Sequence, residues 1–289
     1  MDNWDDVKFV LALSRHGTMT AAAQALGTNV ATVSRRIDRI TEQSSMPLFV
    51  KKDGAWKATA TATGFIRAAE EFDARIRSEE NNARDAAGQT DQTVRVSAMP
   101  FVHHSILIPA LPAYRRQRPQ ARVHLRDRVE SLGLGDTDIV VRFGRPEAGR
   151  LVARKIADLR FHLFRSVEIE PPEGWVGLAE AYDERPAGTL GFEIFGSDPT
   201  VRCDTFDHVL SVIRATGLPG VLPDVMARTV EGLCPLGSGL KGVETEIWIA
   251  YHQSRRADVA LRAAADWIVD SFAGCAWANI QDEVEIAAE

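Results

Sequence analysis

The stretch from Thr20 to Arg39 constrains the fold of this chain more than any other, because it predicts two short helices joined by a tight turn. The first helix is rich in alanine and is expected to end at Gly27, a residue type that adopts the left-handed conformation at helix ends. A second helix is expected to begin at once from Thr28, whose hydroxyl can cap it. Two helices in this arrangement form a helix-turn-helix, whose second helix enters the major groove of DNA.

The second helix has one apolar face and one polar face. At about 100° per residue, one side collects a predicted buried stripe of Val30, Val33, Ile37 and Ile40. The other side, with Asn29 at its edge, carries Thr32, Arg35, Arg36 and Arg39. Arginine can pair with guanine, asparagine with adenine, and threonine can offer a hydroxyl or a methyl group. The alternative is an ordinary solvated face that bears arginines, and the flanking segments favour DNA binding over it.

Both flanks of these helices complete a small domain. Upstream, apolar residues recur at helical spacing, namely Trp4, Val7, Val10 and Leu11. Downstream, residues 47–57 predict two short strands around an Asp-Gly turn, on or beside which lie Lys51, Lys52 and Lys57. A basic hairpin after a recognition helix is a wing, and its natural target is the DNA phosphate backbone. Together these elements predict a winged helix-turn-helix over residues 1–60.

Charge is distributed unevenly along the chain of 289 residues, which has a formal net charge of −6. Residues 15–57 hold seven basic and three acidic residues, whereas residues 89–289 alone carry a net charge of −6. The basic surface is therefore confined to the predicted DNA-reading domain, and the acidic remainder is kept off the DNA.

Composition argues against several other classes of protein. The N-terminus lacks the apolar run of a signal peptide, and no stretch approaches the roughly 18 apolar residues of a membrane helix. Neither disulfide-framework nor zinc-ligand spacing is shown by the three cysteines, Cys203, Cys234 and Cys275. We therefore expect a cytoplasmic protein with reduced thiols and without a membrane partner, metal or cofactor.

A connector is predicted after the wing, over residues 61–88. Apolar residues recur there at spacings of three and four, namely Phe65, Ala69, Phe72, Ile76 and Ala83. About two and a half heptads are too short for a secure independent coiled coil. The pattern therefore fits either a helix packed on its own domain or a helix that pairs two subunits. Residues 88–92 are expected to form a flexible hinge.

From residue 93 the pattern changes to strands that alternate with helices. Strands are predicted at residues 94–97, 122–126, 138–143 and 246–252, with further short segments at 201–203 and 220–223. Helices are predicted at about residues 101–117, 206–216 and 257–272. This alternation is typical of a parallel α/β sheet.

These segments resemble the LysR-type transcriptional regulators. In the first half the resemblance rests on Phe9-Val10, residues 16–23 (HGTMTAAA), Leu26-Gly27, residues 33–37 (VSRRI) and residues 47–49 (PLF). In the second half it rests on residues 127–129, 138–144, 151–156 and 217–223. It implies a multi-domain chain, in which an α-rich winged helix-turn-helix and a linker helix precede an α/β effector domain. That domain is expected to consist of two Rossmann-like subdomains, similar to type 2 periplasmic binding proteins.

The chain also departs from the family pattern. Asn29-Val30 stands where Gln or Ser followed by Pro is usual, residues 50–52 replace a Glu-Arg stretch, and residues 60–64 replace Leu-Thr-Glu-Ala-Gly. Before Asp138 the usual helix has shrunk to residues 130–135, and residues 167–172 replace the usual segment after Ser166. We therefore expect an altered base preference, and a trimmed second subdomain whose pocket is small, unusual or lost.

The resemblance also implies domain boundaries and partners. Subdomain I would comprise residues 93–165 and 254–275, subdomain II residues 166–253, and a C-terminal tail residues 276–289. The linker helix would pair subunits into a dimer or a dimer of dimers (a homotetramer) on a pseudo-palindromic operator in double-stranded DNA. A small-molecule effector and RNA polymerase are further expected partners. The predicted DNA contacts are Thr20, Thr28, Asn29, Val30, Thr32, Ser34, Arg35, Arg36, Arg39, Lys51 and Lys52.

An effector site is expected in the cleft between the subdomains, at the carboxyl ends of the strands. Its predicted lining residues are Ser97, Met99, Pro100, Phe101, Arg126, Asp204, Thr205 and Phe206. The first four lie at the start of a helix, whose free N–H groups suit an anion. The alternatives are a surface position for Arg126 and a core position for Phe206. A further alternative makes the C-terminal half an oligomerisation platform without an effector.

An enzyme is the remaining hypothesis. Its best candidates are Cys203 with His208, five residues apart across a strand-to-helix turn, and the pair His103-His104. No nucleophile elbow, phosphate loop, dinucleotide fingerprint or two-histidine metal motif is present in the sequence. Adjacent histidines on a helix point about 100° apart and seldom bind one ion. We therefore predict that the chain is not an enzyme.

Overall fold

The computed structural model describes residues 5–44, 46–52, 54–86, 93–127, 137–146, 151–236 and 242–275. Up to residue 86 it contains four helices and one hairpin: α1 (Asp5–His16), α2 (Met19–Ala25), α3 (Val30–Ser44), β1 (Phe49–Lys52), β2 (Ala55–Ala58) and α4 (Ala60–Ala86). This order confirms the helix-turn-helix with a wing. The predicted hinge at residues 88–92, the shortened segment at 130–135 and the tail at 276–289 lie outside the described residues.

Local capping bonds set the ends of the two central helices. Thr18 caps α2 by accepting a hydrogen bond from the Ala21 N–H at 3.1 Å. Gly27 then adopts a φ of 62°, in the left-handed region that favours glycine. The prediction that Thr28 caps α3 is wrong, because Asn29 Oδ1 accepts from the Thr32 N–H at 2.8 Å. Thr28 belongs to the turn instead, where its N–H donates to the Ala23 carbonyl at 2.9 Å.

One apolar core holds the first domain together. The stripe of Val33, Ile37 and Ile40 is buried there against α1, α2 and the hairpin. Val30 departs from the prediction, since its side chain is 43% exposed. The physical reason is its position as the first residue of α3, where the neighbouring Asn29 and Ala31 are exposed too. The start of α3 therefore projects from the domain.

The hairpin and α4 are fixed to the same core. The Trp56 N–H donates to the Gly17 carbonyl at 2.7 Å, which ties the hairpin to the turn before α2. Thr59 caps α4 by accepting from the Ala62 N–H at 3.2 Å. The α4 side chains buried against the first domain are Ala62, Ile66 and Ala69. Further along the helix, the side chains of Phe72 and Ile76 are each 45% exposed.

The rest of the chain forms one mixed sheet flanked by helices. Its strands are β3 (Thr93–Ser97), β4 (Arg122–Arg126), β5 (Ile139–Phe143), β6 (Leu151–Ser166), β7 (Val176–Leu178), β8 (Val201–Cys203), β9 (Gly220–Pro223), β10 (Leu233–Pro235) and β11 (Val243–His252). Its helices are α5 (Pro100–Val102), a π-helical turn (His103–Leu107), α6 (Ile108–Gln117), α7 (Pro186–Phe195), α8 (Phe206–Thr216), α9 (Asp224–Ala227) and α10 (Val259–Ala273). Short 3₁₀ turns span Glu180–Tyr182 and Gln253–Arg255.

Two long strands join the two halves of this sheet. The order is β4-β3-β5-β11-β6-β9-β7-β8, with β10 beside β6. Lobe 1 comprises β3 to β5, α5, α6 and α10, and lobe 2 comprises β7 to β10 and α7 to α9. The antiparallel pair of β6 and β11 runs through both lobes, with a register shift between Ile247 and Trp248. These two strands therefore connect the two lobes.

Most predicted elements of this half are confirmed to within three residues. The full length of β6, together with β7, α7 and β10, is not among the predicted elements. Lobe 2 holds four strands and three helices within the described residues. Residues 167–172, where the family segment is replaced, contain no helix or strand.

A buried ion network fixes lobe 1 to the end of β11. Arg255 donates to the carboxylates of Asp138 and Asp258, and all three side chains are at most 4% exposed. Asp138 also accepts from the Arg95 N–H at 2.7 Å, and Asp258 caps α10 by accepting from the Leu261 N–H at 2.9 Å. One guanidinium group thus connects β3, β5 and α10.

Candidate functional site

The exposed start of α3 and the exposed lysines of the hairpin are the candidate surface for DNA. Of the predicted contacts, those that are exposed are Thr20, Asn29, Val30, Arg35, Lys51 and Lys52. Those that are partly buried are Thr28, Thr32, Ser34, Arg36 and Arg39. An exposed valine in the first turn of such a helix can contact a thymine methyl group, and an exposed arginine can reach a guanine edge. The surface has the chemistry of a major-groove reader.

Arg36 and Arg39 have a partner inside the domain. Arg36 Nη1 donates to Asp6 Oδ1 at 2.7 Å, and Arg39 donates to the same oxygen. Asp6 lies on α1 with its side chain 1% exposed, so its charge requires such partners. The Arg36 guanidinium also lies 5.4 Å from the centre of the Phe9 ring. These contacts orient α3 on α1, and Asp6 is a residue that the sequence analysis does not single out.

Asn29 has a structural role in addition to its predicted contact with DNA. Its Oδ1 accepts from the Thr32 backbone N–H at 2.8 Å and from the Thr32 hydroxyl at 3.0 Å. Bidentate pairing with adenine would need the same oxygen to accept from the base. Adenine recognition would therefore compete with the bonds that start the helix. The remaining polar residue of this face, Ser34, donates to Asp38 at 3.3 Å.

The predicted effector residues lie where the two lobes meet. Phe101 of α5 and Phe206 of α8 belong to opposite lobes, yet their rings are 5.6 Å apart in an edge-to-face contact. Phe161 of β6 lies 5.5 Å from Phe206, and Phe143 at the end of β5 lies 6.1 Å from Phe101. Phe206 is 7% exposed and packs in the apolar core. The two walls of the predicted cleft thus touch through an aromatic cluster of these four rings.

A polar contact accompanies the aromatic cluster. His104 Nδ1 of the π-helical turn lies 2.7 Å from Asp207 Oδ1 in the first turn of α8. The two side chains again belong to opposite lobes. This pair, which the sequence analysis does not connect, joins the lobes at the start of their helices.

The polar predicted residues are placed around these contacts. Ser97, at the end of β3, is 1% exposed and shares a hydrogen bond of 2.7 Å with the Thr137 hydroxyl. Thr205 caps α8 by accepting from the His208 N–H at 3.2 Å, and Asp204 before it is exposed. Met99 and Pro100 are half-buried at the start of α5, and Arg126 is half-buried at the end of β4.

His103 lies buried behind this region, and its titration should make the fold sensitive to acid. Its Nε2 lies 3.0 Å from the Arg126 carbonyl, while its Nδ1 is buried without a hydrogen-bond partner. Burial lowers the pKa of His103 below its ordinary 6.5, although the Arg126 bond and Asp127 act to raise it. A histidine with a lowered pKa gives its stability above pH 6.5 and loses it as the pH falls towards the lowered value.

We therefore expect the melting temperature to fall between about pH 7.5 and about pH 5.5, and to fall less in His103→Asn. Thermal denaturation of both proteins at each pH measures the difference. Equal losses in the two proteins would contradict this role for His103.

The structure does not favour a catalytic centre at Cys203. Burial raises the pKa of the Cys203 thiol, and the neighbouring Asp204 raises it further. The thiol therefore stays protonated at neutral pH, which is the opposite of what a nucleophile needs. Within the described parts of the chain no group of three or more His, Cys, Asp or Glu side chains could hold a metal ion. None of the described helices combines the length and apolarity needed to cross a membrane.

Comparison with known proteins agrees with both halves of the structure. Residues 4–65 match the family model of the bacterial regulatory helix-turn-helix protein, lysR family, and residues 87–273 match that of the LysR substrate binding domain. The Mau operon transcriptional activator of Paracoccus denitrificans is 23% identical over 285 residues, covering 94% of this chain and 97% of that protein. An HTH-type transcriptional repressor of Pseudomonas aeruginosa is 22% identical over 280 residues, covering 89% of this chain and 88% of that protein.

Solved structures show the same fold. A full-length OxyR from Pseudomonas aeruginosa aligns with a TM-score of 0.65 at 14% identity, covering 95% of this chain and 96% of that one. The two family models together span both the helix-turn-helix and the two-lobed domain. The chain therefore belongs to the LysR family of transcriptional regulators, and it carries an effector-binding domain of that family.

Proposed function

We propose that this LysR-type regulator reads a pseudo-palindromic operator as a dimer or a dimer of dimers, and that Arg35 is the main base-reading arginine. The observation that carries the proposal is the contrast among three arginines of α3. Arg36 and Arg39 bind the buried Asp6, whereas Arg35 is exposed on the projecting part of the helix. Arg36 and Arg39 act as positioning residues, and Arg35 is directed to the groove together with Val30 and Thr32.

Phosphate contacts come from the wing in this proposal. Lys51 and Lys52 are exposed on β1, where they pair in register with Trp56 and Ala55 of β2. Because Trp56 is bonded to the turn before α2, the wing holds a fixed position relative to the recognition helix. Cations fixed in this way neutralise backbone phosphates without reading sequence.

The pairing of subunits is assigned to α4. The first turns of α4 pack on the first domain of the same chain through Ala62, Ile66 and Ala69. Phe72 and Ile76 continue the apolar spacing but remain 45% exposed, which leaves a short stripe for a second copy of the helix. We therefore assign the first turns of α4 to packing within the chain and the following turns to pairing of subunits.

Selection of bound fragments from random double-stranded DNA tests the operator proposal. We expect inverted half-sites whose centres lie about one helical turn, or a multiple of it, apart. A dimer in solution, measured by sedimentation at micromolar protein, should accompany this pattern. Recovery of a single unrepeated site by a monomeric protein would contradict the proposal.

The effector is proposed to be a small carboxylate or another small anion. β3 and β8 both end at the meeting of the lobes, and the helices that follow them begin there, at Pro100 and Phe206. Two helix N-termini that converge on one place favour negative charge. The Ser97 and Thr137 hydroxyls supply hydrogen-bonding groups beside it.

One observation favours the alternative of a platform without an effector. The Phe101–Phe206 contact and the His104–Asp207 pair already join the two walls. An anion must therefore enter beside or between them.

Thermal melting with a panel of small aliphatic and aromatic acids separates the two cases. A ligand present at a hundred times its dissociation constant should add about 2.7 kcal/mol of stability. Absence of a shift with every acid would favour the platform.

A further inference from the structure

The α1 helix bears one ion pair near each end, and the two pairs lead to different helices. Asp6, in its first turn, accepts from Arg36 and Arg39 of the recognition helix α3. Arg15, in its last turn, donates from Nη2 to Asp73 Oδ2 of α4 at 2.9 Å. The two pairs are about 13 Å apart along the axis of α1. This helix therefore lies between the helix assigned to DNA and the helix assigned to pairing of subunits.

Asp73 continues the face of α4 that packs on the first domain. Ala62, Ile66 and Ala69 are buried on this face. Asp73 follows Ala69 by four residues, so it keeps the spacing of that face. The apolar contacts alone fix about 10 Å of the helix, and the contact of Asp73 extends this length to about 16 Å. The ion pair therefore lengthens the anchored part of α4 by about one turn.

The Arg15–Asp73 pair is partly withdrawn from water. The Arg15 side chain is 13% exposed and the Asp73 side chain is 32% exposed. Arg15 Nε is buried and has no hydrogen-bond partner among the described residues. An exposed ion pair contributes little because water can replace either partner, whereas a largely buried guanidinium group depends on its carboxylate. The contact should therefore persist in solution and restrict the direction of α4.

The stripe assigned to the second copy lies beside Asp73. Phe72 is one position before it and Ile76 three positions after it, and each is 45% exposed. At about 100° per residue, both side chains are turned about 60–100° to the same side of Asp73. The same part of α4 thus contacts its own domain and presents the stripe. A rotation of α4 on its domain would therefore rotate the stripe by the same angle.

We propose that Arg15 and Asp73 are positioning residues that set the distance between the two half-sites read by a dimer. This inference rests on the proposed pairing of subunits through α4. A half-site moved by one base pair is displaced by about 3.4 Å and turned by about 35° around the DNA axis. A dimer whose recognition helices are held firmly relative to its paired α4 helices accepts one distance. Without the ion pair, α4 can tilt on its domain, and neighbouring distances become accessible.

Selection from random duplex DNA, with the unaltered protein and with Asp73→Ala side by side, tests the proposal. The measured quantity is the distribution of distances between inverted half-sites in the recovered fragments. We expect one dominant distance for the unaltered protein. For Asp73→Ala, the share of fragments one base pair longer or shorter should rise about threefold or more, because a less restricted linkage permits more geometries. Identical distributions for the two proteins would overturn the proposal.

Binding to a single half-site separates positioning from direct contact with DNA. Asp73→Ala and Arg15→Ala should both leave this affinity unchanged, since neither removes a group that touches the half-site. Weaker half-site binding by Arg15→Ala alone, with a salt slope reduced by about one, would show that Arg15 binds phosphate and would overturn the proposal.

Glu80→Ala is the matched control for the lost negative charge. Glu80 is an exposed acid of the same helix, seven positions after Asp73. Its replacement should give the distribution of the unaltered protein. Equal broadening by Glu80→Ala and Asp73→Ala would assign the effect to charge near DNA and overturn the proposal.

Charge exchange tests whether the contact itself is responsible. Arg15→Asp should broaden the distribution of distances, because it places two carboxylates side by side. Arg15→Asp combined with Asp73→Arg should narrow the distribution again. Equal broadening in the single and the double variant would contradict the pairing.

The outcomes also distinguish this inference from the proposed function. Recovery of single unpaired sites by an unaltered protein that is monomeric would contradict pairing through α4, and this inference with it. Recovery of paired half-sites at one distance by both the unaltered protein and Asp73→Ala would contradict only the role of the ion pair.

Discussion

Replacing Arg255 by alanine is expected to destabilise the protein by about 3–5 kcal/mol, because it leaves two buried carboxylates without their common partner. Asp138 and Asp258 are 4% and 0% exposed, so water cannot replace the guanidinium group. The loss also reaches local structure, since Asp138 holds the Arg95 N–H and Asp258 caps α10. Urea unfolding followed by tryptophan fluorescence measures the change in free energy.

Arg256→Ala is the matched control for this prediction. Arg256 is the next residue but is exposed, so its removal should change stability by less than about 0.5 kcal/mol. A similar small change for Arg255→Ala would show that the buried network contributes nothing net. Binding of DNA by the folded fraction should persist in both variants, because the network lies in the second half of the chain.

Arg35→Ala is expected to weaken operator binding by about 1–3 kcal/mol, which corresponds to about 5- to 150-fold in affinity. The side chain is exposed on the recognition helix, so its removal should leave stability unchanged. Preference for one base pair should relax at the same time. Titration of labelled operator DNA and of single-base variants measures both effects. Unchanged binding to operator and to random DNA would contradict the assignment of Arg35.

Lys51→Ala provides the contrast between reading bases and binding phosphates. It should weaken all DNA sequences alike and reduce the slope of log affinity against log salt by about one.

Asp6→Asn decides the role of the paired arginines through the sign of its effect. If Arg36 and Arg39 position the helix, loss of the Asp6 charge should weaken operator binding. If the only effect were the loss of a negative charge, operator binding would become tighter, because removing an acidic group near DNA favours binding. Tighter binding by Asp6→Asn would therefore show that the released arginines contact DNA.

The local features of the reading domain could be predicted from sequence because they depend on near neighbours. Helix periodicity, the glycine turn and the Asp-Gly hairpin each involve residues close in the chain. The Asp6 pairing depends on a contact across 30 residues, for which the period of α3 carries no information. The sequence of α1 does indicate that Asp6 is buried, because Asp6 precedes Val10 by four residues and Leu13 by seven and so shares their apolar helix face. An acid on such a face indicates a buried ion pair.

In the second half, the elements that were not predicted are those whose sequences lack the usual pattern of a helix or a strand. β6 continues through a register shift, which breaks the alternation of period two that reveals a strand. α7 contains Gly188 and Gly191, which lower helix propensity. Gly191 is required by packing, because a Cβ there would lie 2.4 Å from the ring of the buried Trp175. Neither the position of the Trp175 ring nor the contact between Phe101 and Phe206 can be derived from the spacing of residues along the chain.

The register shift in the paired long strands sets the local shape of the ribbon that joins the two lobes. Ala157 lies opposite Ile247 and Lys155 lies opposite Trp248, so Ile156 has no residue opposite it in β11. On either side the two strands remain paired along their length. A bulge of this kind bends its strand and increases the local right-handed twist. Ile156 therefore marks the place where the ribbon of β6 and β11 changes direction between the two lobes.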